Sequence, residues 1–363
     1  MNKVWSIIVL VVLMLVLAAC AGEGSDNNQE QKESKDELKI FTTVYPLQFF
    51  AERIAGDRAS VESILPPGAD SHTYEPTSRE MVEIAEGDAF IYNGVGLETY
   101  AEQISESLES GDVRIMEAAE GIELQEHIHS HEEHNHGSDE SGHEDVEGHG
   151  KEDEEDAHAG HNHGDQDPHV WLDPLKSIEL AGNIKDMLVE LKPGQEEVFQ
   201  ENYEELKEEL QHLDEDFHKE LEQLPGDKIV VSHAAYGYWE KAYGLEQIAI
   251  SGLSPVNEPS QKELESIVET AEKHGLNHVF FEQNVTPKVA ETVRKEIGAE
   301  TSRIHNLSVL TEEDIDKEET YFTLMNRNLE RLKEALSKSS SESSESSGTE
   351  EHGHSHEHSE DEE

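Results

Sequence analysis

One histidine of this chain stands in a segment that would hold its imidazole ring in place. Residues 167–174 have the sequence Asp-Pro-His-Val-Trp-Leu-Asp-Pro. Pro168 restricts the backbone just before His169, and the apolar triplet that follows can anchor the segment in a core. A metal site needs ligands that are held in this way, so we predict that His169 binds a metal. A turn histidine near a domain surface is the alternative that this segment alone leaves open.

Three further candidate ligands lie where predicted strands end. His72 lies in a loop after an apolar run, His233 follows residues 229–232, and Glu282 follows residues 279–281. Ligands of open α/β sheets gather outside the carboxyl ends of the strands. Each residue alone could be an ordinary cap or surface residue. Two candidates in each half of the chain favour a shared metal site.

A second set of candidate ligands lies in an acidic loop at residues 120–166. Residues 120–167 contain seventeen Asp or Glu, ten His and one Lys, which is too little apolar surface to fold alone. Such a segment offers loose chelating pairs, and a solvated charge run is the alternative. We predict weak secondary metal binding by its histidines, which are His127, His129, His131, His134, His136, His143, His149, His158, His161 and His163.

Strand and helix patterns alternate through most of the remaining chain. This alternation, before and after a central periodic stretch, predicts βα units with parallel sheets. In the central stretch, apolar residues recur at spacings of three and four from Phe199 to Leu224, which predicts one long amphipathic helix that ends at Pro225-Gly226. We predict two α/β lobes joined by this helix. An isolated coiled-coil arm is the competing interpretation of the helix.

The N-terminus indicates export. The apolar run from Val4 to Ala19 is short for a membrane span and typical of a signal peptide. It ends in Leu-Ala-Ala-Cys, which resembles the lipobox of bacterial lipoproteins, so we expect a lipid on Cys20; an incidental cysteine is the alternative. Cys20 is the only cysteine of the chain, so any metal site within one molecule must consist of histidines and carboxylates.

The charge of the chain bears on its partners. A formal net charge of -56 argues against nucleic acid or anionic lipid as a partner, because both would be repelled. The charge suits a protein that handles cations, and adaptation to a saline or alkaline exterior is the alternative.

Five segments, in this order, resemble the metal-specific solute-binding proteins of ABC transporters, in particular the ZnuA-like, adhesin-type zinc uptake lipoproteins. The segments are residues 68–76, 167–174, 232–238, 252–260 and 281–284, and the resemblance covers roughly residues 38–336. Ser71 stands where many members have proline, and Asn257 is a second departure. The resemblance implies that His72 and His169 from the first lobe, and His233 and Glu282 from the second, hold a metal in the cleft.

The predicted ligand set favours zinc. Three neutral imidazoles and one carboxylate suit Zn²⁺, whereas manganese prefers more oxygen ligands. We therefore expect Zn²⁺ as the transported ligand; a manganese or iron receptor and a surface metal-storage or chaperone lipoprotein are the alternatives. A metallohydrolase is disfavoured, because the chain has no His-Glu-x-x-His pattern and four protein ligands close the tetrahedron.

These inferences predict the organisation and setting of the protein. We expect a non-enzymatic monomer that is lipid-anchored to the outside of the cell membrane, works with an ABC permease and its ATPase subunit, and binds no nucleic acid. The predicted divisions are a signal peptide (1–20), a flexible tether (21–37), an N-terminal lobe (38–191, including the loop 120–166), a linking helix (193–224), a C-terminal lobe (226–336) and a disordered tail (337–363).

Overall fold

The computed structural model describes residues 37–108, 111–126 and 166–338. These residues form two lobes, each with one four-stranded sheet. All the paired strands are parallel, and the strand orders are β2-β1-β3-β4 in the first lobe and β6-β5-β7-β8 in the second. The predicted fold class, two α/β lobes with parallel sheets, is confirmed.

The first lobe alternates strands and helices as its apolar pattern predicts. Helix α2 begins with a capping box, in which the Thr77 side chain and the Glu80 side chain each accept a hydrogen bond from the other residue's backbone N–H. The strands are β1 (Leu38–Thr42), β2 (Ala59–Ser63), β3 (Ala89–Tyr92) and β4 (Arg114–Glu117). The helices are α1 (Tyr45–Ala55), α2 (Ser78–Ala85) and α3 (Ala101–Leu108).

Two helices lead from the first sheet to the second. A short 3₁₀ turn at Val170–Leu172 is followed by α4 (Pro174–Leu191) and, after a second 3₁₀ turn at Pro193–Gln195, by α5 (Glu196–Leu221). At about 1.5 Å per residue, α5 is roughly 39 Å long. Its apolar stripe is buried, and α5 packs on α1 and α4 and also on two helices of the second lobe. The helix therefore lies along the molecule, and the coiled-coil arm is wrong.

The second lobe repeats the scheme. Its strands are β5 (Lys228–His233), β6 (Glu246–Ser251), β7 (His278–Glu282) and β8 (Glu300–Ile304). Its helices are α6 (Gly237–Tyr243), α7 (Gln261–Lys273), α8 (Lys288–Glu296), α9 (Glu312–Asp316) and α10 (Tyr321–Lys338). The short helix α9 was not among the predicted elements; it is stabilised by a capping box between Thr311 and Asp314.

The hydrophobic core is shared between the lobes. One large cluster of buried side chains includes Ile40 from β1, Leu210 from α5, Val231 from β5 and Leu332 from α10. Smaller clusters cover the other face of each sheet. Strands that are buried on both faces are expected in parallel sheets covered by helices. No helix of the described residues has the length and apolar character needed to cross a membrane.

Candidate metal centre

The four predicted ligands lie at the junction of the two lobes. His233 is the last residue of β5 and Glu282 is the last residue of β7, and these two strands pair with each other. His72 lies in the loop between β2 and α2, and His169 immediately precedes the 3₁₀ turn before α4. Three of the four candidates therefore lie beyond the carboxyl ends of parallel strands, where ligands of open α/β sheets gather.

Three imidazole rings converge on one point. Nε2 of His169 lies 3.3 Å from Nε2 of His72 and 3.4 Å from Nε2 of His233. These three residues form the group of candidate metal ligands found among the described residues. The side chains of His169 and His233 are fully buried, whereas His72 is half-buried. His72 is therefore the member of the group that lies nearest to solvent.

His169 is held by the segment that carries it. Oδ1 of Asp167 accepts hydrogen bonds from the His169 backbone N–H at 2.9 Å and from its Nδ1 at 2.7 Å. The Asn93 amide donates to the carbonyl of Pro168 at 2.9 Å. The Trp171 indole N–H donates across the lobes to the carbonyl of Asn306 at 2.8 Å. The ring of His169 is thus fixed before any ligand arrives.

Glu282 lies beside the three histidines rather than at the point where their Nε2 atoms meet. Its Oε1 contacts Nδ1 of His233, and both atoms are buried. Its other oxygen, Oε2, accepts a hydrogen bond from the Asn306 amide at 3.2 Å. A buried carboxylate is costly unless it is paired, and a cation at this position would pair with it.

The loop that carries His72 is organised by Asp70. The Asp70 side chain accepts a hydrogen bond from the His72 backbone N–H at 2.9 Å, and its carbonyl accepts one from Tyr74 at 3.0 Å. Burial, reinforced by the neighbouring His169 and His233 rings, holds the pKa of His72 well below its ordinary value. His72 is therefore neutral at neutral pH, which is the form that coordinates a metal.

Comparison with known families decides where the chain belongs. A family model described as zinc-uptake complex component A, periplasmic (ZnuA), matches residues 40–335. The chain belongs to the ZnuA family. The resemblance inferred from the five sequence segments is therefore confirmed.

The relatives within the ZnuA family include proteins of different length. The chain is 35% identical over 304 residues to the zinc-binding lipoprotein AdcA of Streptococcus pneumoniae, a match that covers 84% of this chain and 57% of AdcA. It is 32% identical over 301 residues to the high-affinity zinc uptake system protein ZnuA of Bacillus subtilis, covering 83% of this chain and 88% of that protein. The chain thus spans little more than half the length of AdcA.

A solved structure gives the same result for the fold. The crystal structure of the Zn(II)-bound ZnuA-like domain of Streptococcus pneumoniae AdcA matches 83% of this chain and 99% of that domain, with 32% identity and a TM-score of 0.65. This ZnuA family member therefore shares its fold with a relative whose structure was determined with zinc bound.

Several residues that position the candidate ligands were missed in the sequence. No role was predicted for Asp167, although an Asp two residues before a histidine can accept a hydrogen bond from that residue's backbone N–H. Asn306 carries no local signal that connects it with Glu282, because the two residues meet only in the folded chain. The predicted loop histidines between 127 and 163, the tail and Cys20 lie outside the described residues.

Proposed function

We propose that this chain is the extracytoplasmic zinc-binding component of an ABC uptake transporter. It captures Zn²⁺ between the lobes and delivers the ion to a membrane permease that works with an ATPase subunit. The observation that carries this proposal is the convergence of the Nε2 atoms of His72, His169 and His233.

The spacing of the imidazoles fits zinc. With Zn–N bonds of about 2.0–2.1 Å, two ligands of a tetrahedral site lie about 3.3 Å apart. The two measured Nε2 separations are 3.3 and 3.4 Å. Nitrogen ligands suit zinc better than manganese, which prefers oxygen. The structure thus supports zinc rather than manganese or iron as the cargo.

Glu282 is proposed as the fourth ligand. Its Oε1 is buried next to the imidazole group, and the Asn306 amide donates a hydrogen bond to Oε2. A carboxylate that a hydrogen bond anchors beside three imidazoles can complete the coordination of a cation. The added negative charge also reduces the net charge of the zinc complex, which favours its burial.

A closed shell of four protein ligands suits transport and not catalysis. Catalytic zinc sites keep one position for water or substrate, whereas three histidines and Glu282 leave none. We therefore propose that the protein is not an enzyme. The predicted lipid on Cys20 would hold it at the outer side of the cell membrane, as a monomer beside the permease and its ATPase subunit.

An anaerobic zinc titration followed by native mass spectrometry tests the proposal. We expect one tight zinc equivalent in the full chain, loss of that equivalent in His233→Ala, and its retention when residues 127–163 are deleted. His274→Ala, which alters an exposed histidine after α7, is the matched control and should bind like the full chain.

Two outcomes would contradict the assignment. If deletion of residues 127–163 removed the tight equivalent, the loop histidines would belong to the primary site. If manganese competed with equimolar zinc for the tight equivalent, the proposed cargo would be wrong.

A further inference from the structure

The loop that carries His72 is attached to the opposite lobe. Residues 66–73 follow β2 of the N-terminal lobe. Among the described residues, the hydrogen bonds that this loop makes within the N-terminal lobe join only residues 66–74 to one another. The one exception is the contact between the His72 and His169 rings. The loop's remaining hydrogen bonds join it to residues of the C-terminal lobe.

Asn284 makes most of the hydrogen bonds between this loop and the C-terminal lobe. Its amide nitrogen donates to the carbonyls of Gly68 at 2.9 Å and of Ala69 at 3.3 Å. The Gly68 N–H in turn donates to the carbonyl of Leu310 at 2.9 Å. Gly68 has a φ of 74°, a conformation that glycine adopts without strain, and it lies four residues before His72.

The base of the attachment is rigid. Asn284 lies two residues after Glu282, in the loop that follows β7. The Arg303 guanidinium donates to the carbonyl of Val285 at 3.2 Å and to the hydroxyl of Thr286 at 2.9 Å, so it holds this loop against β8. The amide of Asn284 is therefore presented to the His72 loop from a fixed position.

We propose that Asn284 is a positioning residue that latches the His72 loop onto the C-terminal lobe and thereby sets the rate of zinc release. His72 is the most exposed of the four proposed ligands, so release begins when its loop lifts from the cleft. Lifting the loop breaks both hydrogen bonds from Asn284. This inference rests on the proposed function and adds the residue that controls how long the cargo stays bound.

Replacing Asn284 by leucine tests the latch, because leucine has a similar size and cannot donate a hydrogen bond. The full-length variant is loaded with one zinc equivalent and mixed with excess 4-(2-pyridylazo)resorcinol in a stopped-flow instrument. We expect release to be roughly tenfold faster than in the unmodified chain, as the loss of two amide–carbonyl hydrogen bonds predicts. The rate of zinc binding should change little.

Asn326→Leu is the matched control. Its amide donates to one backbone carbonyl, that of Phe322 in its own helix, and Asn326 is exposed. Release from this variant should equal that of the unmodified chain. Asn284→Ala serves as a second variant, since a smaller side chain at this half-buried position leaves room for the loop.

Hydrogen exchange separates a latch from a general loss of structure. In Asn284→Leu, exchange should accelerate in residues 66–74 and stay unchanged in β5. An unchanged release rate in both Asn284 variants would overturn the latch while leaving the proposed function intact, because zinc would still bind tightly. Accelerated exchange in β5 as well would overturn it in favour of a structural role. Absence of any tight zinc in the unmodified chain would instead contradict the proposed function.

Discussion

Oδ1 of Asp167 lies 2.7 Å from Nδ1 of His169 and also accepts a hydrogen bond from the His169 backbone N–H. A carboxylate cannot donate, so the Nδ1 atom carries the proton and the Nε2 lone pair faces His72 and His233. Asp167 therefore selects the tautomer of His169 that can coordinate a metal and holds the ring in the required orientation.

Asp167→Asn should weaken zinc binding by roughly 10- to 100-fold, which is the usual effect of changing a group that orients a metal-bound histidine. The amide has the same size but lacks the charge that stabilises the Nδ1–H form. Affinity is measured by competition with a chelator of known strength. Asp186→Asn, an exposed residue on α4, is the control and should bind normally. Equal affinity in the two variants would contradict the role of Asp167.

Gly237→Ala should disturb the same histidine from the opposite lobe. A β-carbon at Gly237 would lie 2.6 Å from Oδ2 of Asp167, closer than nonbonded atoms allow, so the carboxylate must shift and take His169 with it. We expect zinc affinity to fall, by no more than in Asp167→Asn.

Gly182→Ala provides the comparison for Gly237. This glycine lies inside α4, where a β-carbon would lie 3.4 Å from the Tyr203 hydroxyl, so alanine fits and favours the helix. Its zinc affinity should match that of the unmodified chain. Normal affinity in Gly237→Ala would show that Asp167 can move without displacing His169.

Glu282→Gln distinguishes a ligand from an orienting residue. If Glu282 coordinates zinc, its loss should weaken binding more than Asp167→Asn does, because a coordinating bond and a negative charge are both removed. If Glu282 only orients His233, the two variants should lose similar affinity. Glu300→Gln, with a side chain that is 73% exposed, controls for the change in net charge. The chelator competition used for Asp167 measures all three variants.

The sequence predicted the fold because its signals are local. The apolar spacing predicted the long helix α5, and Ser260 forms a capping box with Glu263, three residues further on, at the start of α7. The alternation of strands and helices predicted parallel sheets, and the ends of the predicted strands indicated three of the candidate ligands. These features depend on spacing within one element, which a single sequence displays.

The contacts between residues far apart in the sequence could not be predicted in this way. Asn284 and Gly68 are 216 residues apart, and Asn306 and Glu282 lie on neighbouring strand ends. The first contact depends on how the two sheets are placed relative to each other, and the second depends on which strands pair within the C-terminal sheet. The contact between Glu282 and Nδ1 of His233 likewise depends on side-chain rotation, on which the spacing of residues gives no information.

Acid should destabilise the metal-free protein through His305. Its Nδ1 accepts a hydrogen bond from the Leu307 N–H at 2.9 Å, and its Nε2 lies 3.1 Å from Oδ2 of Asp314, so the buried ring is held neutral. Burial lowers the pKa of His305 below its ordinary value and outweighs the Asp314 carboxylate, which acts in the opposite direction. As the pH falls below about 6.5, the unfolded chain takes up a proton that the folded chain does not, and the free energy of unfolding decreases.

His305→Gln should reduce this pH dependence, because glutamine does not titrate. Urea unfolding in EDTA at pH 7.5, 6.5 and 5.5 measures the free energy of unfolding at each pH. The variant should be less stable than the unmodified chain at pH 7.5 and should lose less stability on acidification. The lowered pKa of His72 acts in the same direction and is common to both proteins. His274→Gln, an exposed substitution, should keep the original slope. An unchanged slope in His305→Gln would contradict the prediction.

The core cluster that runs from β1 through α5 to β5 and α10 has a consequence for heat denaturation. Because neither sheet has a large hydrophobic interior of its own, the lobes should melt together, in one calorimetric transition whose van't Hoff and calorimetric enthalpies agree. An ion that binds the folded chain raises that single melting temperature according to its concentration and affinity. Zinc in the cleft would therefore protect strands that it never touches, and a chelator would lower the melting temperature of both sheets at once.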